Sequence, residues 1–437
     1  MERETWTSRI GFVLASVGSA IGLGNIWLFP WRLGSYGGAA FLVPYLVFVF
    51  LIATVGLMEE FAFGRSQKKG MLGAFEGVFK EKGKGPVGVA LGVVPLIAII
   101  TIFVFYTIVV GWMLRYLVLA VSGQFATMNI PEEFNTFVGT SRSIGWHAGG
   151  VALTLIVVLG GVRRGIERVN KFLMPLLFAL LVILLIRSVT LPGAGEGLGF
   201  LLLPDWSRLG ETETWIFALG QAFFTVSLSG ATMLVYGSYA SRDTNIPAAA
   251  VQTVSFNTLA SLLAAFVIMP AVFAFNLDPA AGPGLLFVTI PNVFNQMPGG
   301  VIFGALFFLA VLFAGISSSI SMLEPIVEAF MDRFNMSRKL SVFSIAIVGF
   351  ALGIPLDVNM GNFGAWADIS TIYLLPIGAT IAAIVFFWVY GADRAQQEIN
   401  DGATKPLGNW IRWYGKYVFV GITLLTVILN IVFGGIG

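Results

Sequence analysis

Between Gly18 and Pro30 the chain reads Gly-Ser-Ala-Ile-Gly-Leu-Gly-Asn-Ile-Trp-Leu-Phe-Pro. This apolar stretch is interrupted by glycines at 18, 22 and 24 and by one amide, Asn25. Glycine and proline propagate a helix poorly, the first because it gives up the most backbone freedom, the second because it lacks an N–H. A helix that unwinds near Gly22–Gly24 frees backbone N–H and C=O groups. In an apolar medium such groups persist only where they line a cavity or bind something. An amide side chain at the same depth also needs a partner or a ligand. Freed carbonyls suit a hard cation such as sodium. Freed N–H groups at the start of a half-helix suit a carboxylate.

A second run, Gly220-Gln-Ala-Phe-Phe-Thr-Val-Ser-Leu-Ser-Gly-Ala-Thr232, gathers small and hydroxyl residues at the middle of another apolar segment. Interruptions at matching places in two halves of a chain point to an inverted repeat with its site at the bilayer midplane. Small-residue packing between helices accounts for many membrane glycines, and for the glycines alone it is the stronger reading. Asn25, Gln221, Thr225 and Asn257 turn the balance toward binding, because polar side chains at that depth need partners. A third run, Ala314-Gly-Ile-Ser-Ser-Ser-Ile-Ser321, puts hydroxyls at 317, 318, 319 and 321 on more than one helix face. Some of these can bond back to a carbonyl one turn earlier. Glu324 and Glu328 follow one and two turns later, toward the cytoplasmic half.

Composition sets the elements that must carry these residues. The 437-residue chain is 57% hydrophobic and 11% charged, under half the charged share of about 25% usual in soluble domains. It is read as all-α, polytopic and membrane-embedded, one integral unit over 1–437. Apolar runs of about 20 residues recur near 11–35, 40–63, 88–122, 147–161, 170–190, 214–239, 250–275, 300–331, 340–356, 364–391 and 415–435, which makes eleven transmembrane helices. The runs do not alternate, which argues against a β-barrel. With the N-terminus inside, 20 of the 25 lysines and arginines fall in cytoplasmic segments, the bias of a multi-pass plasma-membrane protein in that orientation.

The polar start, Met1 to Arg9, leads into an apolar run without a small-residue cleavage site, so that run is read as a retained span. Cysteine is absent, which excludes disulfides, zinc–thiolate sites and iron–sulfur clusters. The one histidine, His147, cannot build a multi-histidine metal site and is expected at a span end, in the interface. No nucleophile–base pair is visible, which disfavours an enzyme. Segment 64–85 reads as a solvated cytoplasmic loop. Segment 276–298, with four prolines, is an external loop with short helices; it is either a re-entrant cap over a vestibule or an ordinary punctuated loop.

These runs resemble the signatures of the neurotransmitter:sodium symporters. Gly22-Leu-Gly-Asn-Ile-Trp-Leu-Phe-Pro30 is similar to the family's first span. Phe223-Phe-Thr-Val-Ser-Leu and Tyr236-Gly-Ser-Tyr239 are similar to its sixth, Ala314-Gly-Ile-Ser-Ser-Ser to its eighth, and Phe386-Phe-Trp-Val-Tyr-Gly-Ala-Asp393 to the end of its tenth. The family is a known example of inverted repeats, and that part of the architecture is inherited from the resemblance. It implies a five-plus-five repeat with discontinuous helices 1 and 6. The first repeat covers about 9–191, the second about 212–392, and an additional helix about 413–435. The implied activity is sodium-coupled secondary active symport of a neutral amino acid or related small zwitterion by alternating access.

The resemblance also implies sites. A first sodium would be held by the Ala20 carbonyl, the Asn25 and Asn257 side chains, Thr225 and the substrate carboxylate. A second would be held by the carbonyls of Gly18, Ile21 and Ala314 and the hydroxyls of Ser317 and Ser318. Backbone amides of Gly22, Leu23 and Gly24 and the Tyr106 hydroxyl would hold a carboxylate. The amine would meet carbonyls near Phe224 and Ser227. Ile102, Phe224, Ser227, Gly230, Ser318, Ser321 and Met322 would line the side-chain pocket. Relatives that carry monoamines place an aspartate where this chain has Gly22, so the substrate here is expected to bring its own carboxylate. Tyr45, Gln221, Thr225, Asn257 and Ser261 match positions that hold chloride in chloride-dependent members. With serine at 261, either a bound chloride or another nearby acid offsets the sodium charge. Arg3 and Asp332 match an inner gate pair, with Trp6, Ser238 and Tyr239 around them; the plain alternative is a surface ion pair worth about 0–1 kcal/mol. Gly165 and Pro175 match an element of the fifth helix whose unwinding lets water reach the second sodium.

The pattern also breaks. Most members have an arginine where this chain has Leu28. Arg32, one turn outward, is expected to pair with Asp368 in its place. Ser229-Gly230-Ala231 replaces the family's Gly-x-Gly, so the pocket floor is expected to be roomier or more polar. The chain stops after its eleventh span, where the founding pattern has twelve. A channel or a non-transporting sensor on the same fold, or a symporter of a non-amino-acid carboxylate, is the alternative. The expected partners are a small solute and the lipid bilayer, with no nucleic acid.

Overall fold

The computed structural model describes residues 4–282 and 284–436, so Arg3 of the expected inner gate lies outside it. Among the described residues the chain is helical, with no strand. Two short helices, α1 (Arg9–Ala20) and α2 (Gly24–Ser35), meet at 54° and together could cross a membrane. There follow α3 (Ala39–Gln67), α4 (Gly85–Val121), α5 (Ser141–Leu159) and α6 (Val162–Val189). A second interrupted pair is α7 (Thr212–Thr225) and α8 (Thr232–Ser238), separated by a non-helical stretch at 226–231. The remainder are α9 (Ile246–Ala274), α10 (Gly300–Phe334), α11 (Arg338–Asp357), α12 (Met360–Asn400) and α13 (Trp410–Phe433). Nine of these helices are continuous, long and apolar enough to span, and the bent α1–α2 pair makes a tenth.

Local chemistry sets where these helices start. Ser8 caps α1 by accepting from the Gly11 N–H at 3.0 Å, and Asn245 caps α9 through the Ala248 N–H at 3.0 Å, each satisfying a donor the first turn leaves open. Hydrophobic residues with bare exterior faces, among them Phe172, Ile186, Ile347 and Val432, give the bundle the apolar surface that lipid requires. The interrupted helices lie inside it. Nine of the twelve residues of α1 are buried, and α1 packs on α6, α9 and α10. The half-helix α8 lies backbone to backbone on α3. A Cβ on Gly64 would fall on the Leu234 carbonyl, and one on Gly237 would fall on the Phe61 carbonyl. Small residues on both sides make that approach possible.

The proline-punctuated segment does carry short helices, Leu285–Thr289 and Ile290–Gln296. Phe287 is fully buried and packs edge-on against Trp27, Trp112 and Tyr116, so this segment is built into the bundle.

His147 corrects the sequence reading, which placed it in the interface. It is fully buried. Its Nδ1 lies 2.7 Å from Asp357 Oδ2 and its Nε2 3.1 Å from Thr107 Oγ1, while Ser143 donates to Asp357 Oδ1 at 2.7 Å. The partners come from α4, α5 and α11, and Asp357 is 210 residues away in sequence. The Thr107 hydroxyl also bonds back to carbonyls of its own helix at 3.0 and 3.1 Å, and the cluster does not border the central cavity. It acts as a brace. Replacing His147 by Leu leaves the Asp357 carboxyl short of a partner, at a cost of about 1–3 kcal/mol. The thermal midpoint of His147→Leu in detergent should fall accordingly, and adding Asp357→Leu should recover part of the loss. An unchanged midpoint would show that the brace holds nothing.

Candidate functional site

The two interruptions face each other, and side chains from several helices bond the backbone they expose. The Gly22 N–H, which in an unbroken helix would bond the Gly18 carbonyl, donates to Asn25 Oδ1 at 3.0 Å. The Leu23 N–H donates to the Tyr106 hydroxyl at 3.2 Å. The Gly24 carbonyl accepts from Gln221 Nε2 at 2.9 Å. In the second break Ser227 adopts φ +60°, a left-handed conformation costly for a residue with a side chain. Its hydroxyl donates to the Ser19 carbonyl at 3.0 Å, joining one break to the other. Ser318 donates to the Ser19 and Ile21 carbonyls at 3.3 and 3.1 Å. Glu60 Oε1 accepts from the Ser229 and Gly230 N–H groups at 2.8 Å each.

The residues expected at the first sodium site converge. Asn25 Nδ2 lies 2.8 Å from Asn257 Oδ1, 3.0 Å from Thr225 Oγ1 and 2.8 Å from Ser261 Oγ. Asn257 Oδ1 in turn lies 3.3 Å from the Ala20 carbonyl and 2.8 Å from the Thr225 carbonyl. Turning the Asn257 amide over would give those carbonyls a donor, but would set its NH2 against that of Asn25. Asn25 cannot turn as well, because its oxygen holds the Gly22 N–H. A backbone donor thus fixes both amides and leaves oxygens of Ala20, Thr225 and Asn257 facing one another with no proton between them. Such a neutral oxygen set suits a hard cation. Among the described residues no cluster of three or more His, Cys, Asp or Glu could hold a metal.

The second expected set also assembles. Ser317 Oγ is 3.0 Å from the Ala314 carbonyl and 3.5 Å from that of Ile21, next to Ser318. Gly18 adjoins it: a Cβ there would lie 3.4 Å from Ser317 Cβ.

Between the breaks is a cavity of about 260 Å³. Of the residues expected around a substrate, Gly22, Leu23, Gly24, Ile102, Tyr106, Phe224, Ser227, Ser318, Ser321 and Met322 line it. Gly22 keeps it open, since a Cβ there would press on Ser318 Oγ and lie 2.7 Å from the Tyr106 hydroxyl. Gly230 does not line it. It faces α12, where a Cβ would meet the Gly378 carbonyl at 2.7 Å, and its φ of +71° turns the chain there. Ser229 and Thr232 border the cavity instead. Trp27, Leu28, Trp31, Phe363, Ala367 and Thr371 continue the wall along α2 and α12. These were not among the expected site residues.

Tyr45, Thr225, Asn257 and Ser261, expected around an anion, are all fully buried or nearly so. The Tyr45 hydroxyl lies near Ser261, Thr258 and Thr225 without completing a hydrogen bond, and Thr258 Oγ1 is likewise without a partner. Gln221, the fifth member, spends its Nε2 on Gly24 and leaves its oxygen unpaired. Thr258 gave no signal in the sequence.

At the end carrying the N-terminus the bundle is closed. Trp6 donates to the Tyr236 carbonyl at 3.0 Å and packs edge-on against Tyr236 and Tyr239. Tyr239 donates to Glu324 at 2.8 Å, and Glu324 is paired with Arg338. Asp332 accepts from the Gly70 N–H at 2.9 Å. At the other end the expected Arg32–Asp368 pair is not formed. Arg32 is buried against α7, its guanidinium 5.5 Å from the Phe217 ring centroid and bonded to the Ile436 carbonyl. Asp368 is exposed. Four residues along a helix turn the side chain about 40° past a full turn, which takes Arg32 off the cavity wall that Leu28 occupies.

Glu60 offers a direct check on the second break. Glu60→Ala leaves two buried N–H groups unpaired, each costing about 1–3 kcal/mol, whereas Glu60→Gln keeps an acceptor. Alanine should lower the thermal midpoint clearly more than glutamine; equal effects would mean the Ser229–Gly230 contact contributes nothing.

The comparisons with known proteins agree with this geometry. The model of the Sodium:neurotransmitter symporter family matches residues 3–143 and 138–434. The chain is 34% identical over 443 residues to a Bacillus subtilis (strain 168) protein described as the uncharacterized sodium-dependent transporter YhdH, covering 98% of this chain and 97% of that one. It is 32% identical over 455 residues to the Methanocaldococcus jannaschii protein described as the uncharacterized sodium-dependent transporter MJ1319, covering 98% and 91%. Its fold is similar to the crystal structure of MhsT in complex with L-phenylalanine, with a TM-score of 0.87 and 36% identity over 98% of this chain and all of that one. Two interrupted helices stitched across one cavity and a family match over nearly the whole length lead to one conclusion: this multi-pass membrane protein belongs to the sodium:neurotransmitter symporter family.

Proposed function

We propose that this chain is a sodium-coupled symporter of a neutral α-amino acid with an apolar side chain, or a close zwitterionic relative, working by alternating access. The carrying observation is the cavity between the two breaks. The start of α2 and the end of α7 both border it, at Gly24 and Phe224. A helix start favours negative charge and a helix end favours positive charge. Among the described residues, no charged side chain lines the cavity. A solute with its own carboxylate and ammonium, neutral overall, matches such a space. Ile99, Ile102, Val109 and Met322 supply an apolar wall. At about 260 Å³ the cavity is just under the usual range of about 300–1,000 Å³ for small-molecule pockets, which suits an amino acid better than a peptide. The MhsT complex holds L-phenylalanine, a ligand of this class.

In this reading α1–α2 and α7–α8 are the first and sixth of eleven spans, and open two repeats of five over about 9–191 and 212–392. Two sodium ions occupy the oxygen sets at Ala20, Thr225 and Asn257, beside the Asn25 amide that the Gly22 N–H holds, and at Gly18, Ile21, Ala314, Ser317 and Ser318. Chloride sits by Tyr45, Thr258 and Ser261. The N-terminus is cytoplasmic in the plasma membrane, and the conformation is open to the outside. Transport then needs the Trp6–Tyr239 closure to part while α2 and α12 come together.

Thermal unfolding of the purified protein tests this. A bound amino acid at 100 times its dissociation constant should stabilise the fold by about 2.7 kcal/mol in sodium buffer, and not in potassium or choline. Gly22→Ala should abolish that shift and also lower the unliganded midpoint, because the methyl group displaces the Ser318 and Tyr106 hydroxyls from the backbone groups they hold. Equal stabilisation in all three buffers would refute sodium coupling. Tracer uptake into vesicles should follow an imposed sodium gradient; flux that ignores the gradient would indicate a channel, and none a sensor.

A further inference from the structure

One buried polar atom near the second oxygen set has no structural use. Asn170, on α6, is fully buried. Its Nδ2 donates to the Ile166 carbonyl, one turn back, at 3.0 Å, which fixes the amide, because the reverse orientation would set oxygen against oxygen. Its Oδ1 then has no hydrogen-bond partner. An unsatisfied buried carbonyl oxygen is a cost the fold retains only for a reason. The oxygen is aimed at Gly18: a Cβ on Gly18 would collide with Asn170 Oδ1, and would lie 2.8 Å from Asn170 Cγ and 3.4 Å from Ser317 Cβ. Asn170, Gly18 and Ser317 thus meet where α6, α1 and α10 touch. Asn170 also sits just beyond the widened turn Val162–Glu167 that begins α6.

We propose that Asn170 is a further ligand of the second cation, its Oδ1 completing the oxygen set of Gly18, Ile21, Ala314, Ser317 and Ser318 from the α6 side. This rests on the sodium reading above. It gives the orphan oxygen its partner and explains why residue 18 has no side chain, since a methyl group would separate the oxygen from the set. It also makes α6 sensitive to occupancy. With the ion present, α6 is held to α1 and α10 through Asn170; without it, the polar contacts on that face are those of Glu167 with Thr7 and Ser8.

The test is sodium-dependent thermal unfolding of the full chain without amino acid, when the first set lacks the carboxylate that would complete it. The wild type should gain stability with rising sodium and not with choline; if it does not, the sodium reading itself fails, whatever Asn170 does. Given that response, Asn170→Leu should raise the sodium concentration for half-maximal effect about tenfold or more, the usual consequence of losing a metal-supporting group. Its sodium-free midpoint should stay level or rise, because the leucine removes an unsatisfied oxygen. Asn170→Asp, which keeps the oxygen, should retain a sodium response close to that of the parent. The proposal is overturned if Asn170→Leu keeps the parental half-maximal concentration. It is equally overturned if Asn170→Leu lowers the sodium-free midpoint and Asn170→Asp does not preserve the response, since Asn170 would then be only a packing residue.

Discussion

A peptide group that leaves a helix inside an apolar medium must find a new partner, and most of this protein's central architecture answers that requirement. With no water to turn to, each open N–H or C=O costs several kcal/mol. The breaks after Ala20 and after Thr225 are therefore met by side chains from elsewhere: Tyr106 from α4, Gln221 from α7, Ser318 from α10, Glu60 from α3. Ser227 takes a strained backbone angle and reaches Ser19 across the gap. The breaks depend on each other, because a carbonyl freed by one is held by a hydroxyl freed by the other.

The same requirement organises the electrostatics without charged side chains. One backbone N–H, at Gly22, fixes the Asn25 amide, which fixes Asn257, which leaves carbonyl and amide oxygens crowded together. Negative potential is thus concentrated by dipoles, whose burial costs far less than that of ionised carboxylates. On the sodium reading, a set built this way takes a cation without becoming a permanent trap for it. Reversible binding in a membrane interior needs that balance.

The breaks themselves were legible in the sequence, because glycine spacing and a lone amide are local signals, as at Gly18–Asn25 and Gly220–Thr232. So were the positions of most spans and a part of the cavity wall, the latter through resemblance of short runs. What escaped detection depends on which way a helix is rotated or on pairs far apart in the chain. Gly230 was expected to face the cavity and faces α12. Arg32 shares a helix with the cavity-lining Leu28 yet turns toward Phe217. His147 looked interfacial because nothing near it in sequence hints at Asp357, 210 residues on. Glu60 carried no signal in the sequence, and only the fold reveals that it holds the second break.

The two ends of the bundle differ in the contacts available to close them. On the N-terminal side, Trp6 lies on Tyr236 and Tyr239, and a chain of polar contacts runs from Tyr239 through Glu324 to Arg338. Nearby, buried Arg65 is held by Glu398 and by carbonyls of the neighbouring loops. Such a network is costly to break one member at a time, so it favours two discrete states over gradual opening. On the opposite side the cavity wall of Leu28, Trp31, Phe363 and Ala367 is apolar and carries no Arg32–Asp368 latch, so its closure would rest on excluding water from a space already greasy. A ligand shifts such an equilibrium only through its different affinities for the two states. On the sodium reading, the oxygens left facing one another at the breaks are groups able to supply that difference, because they would hold an ion in one arrangement of the half-helices and lose it if those half-helices parted.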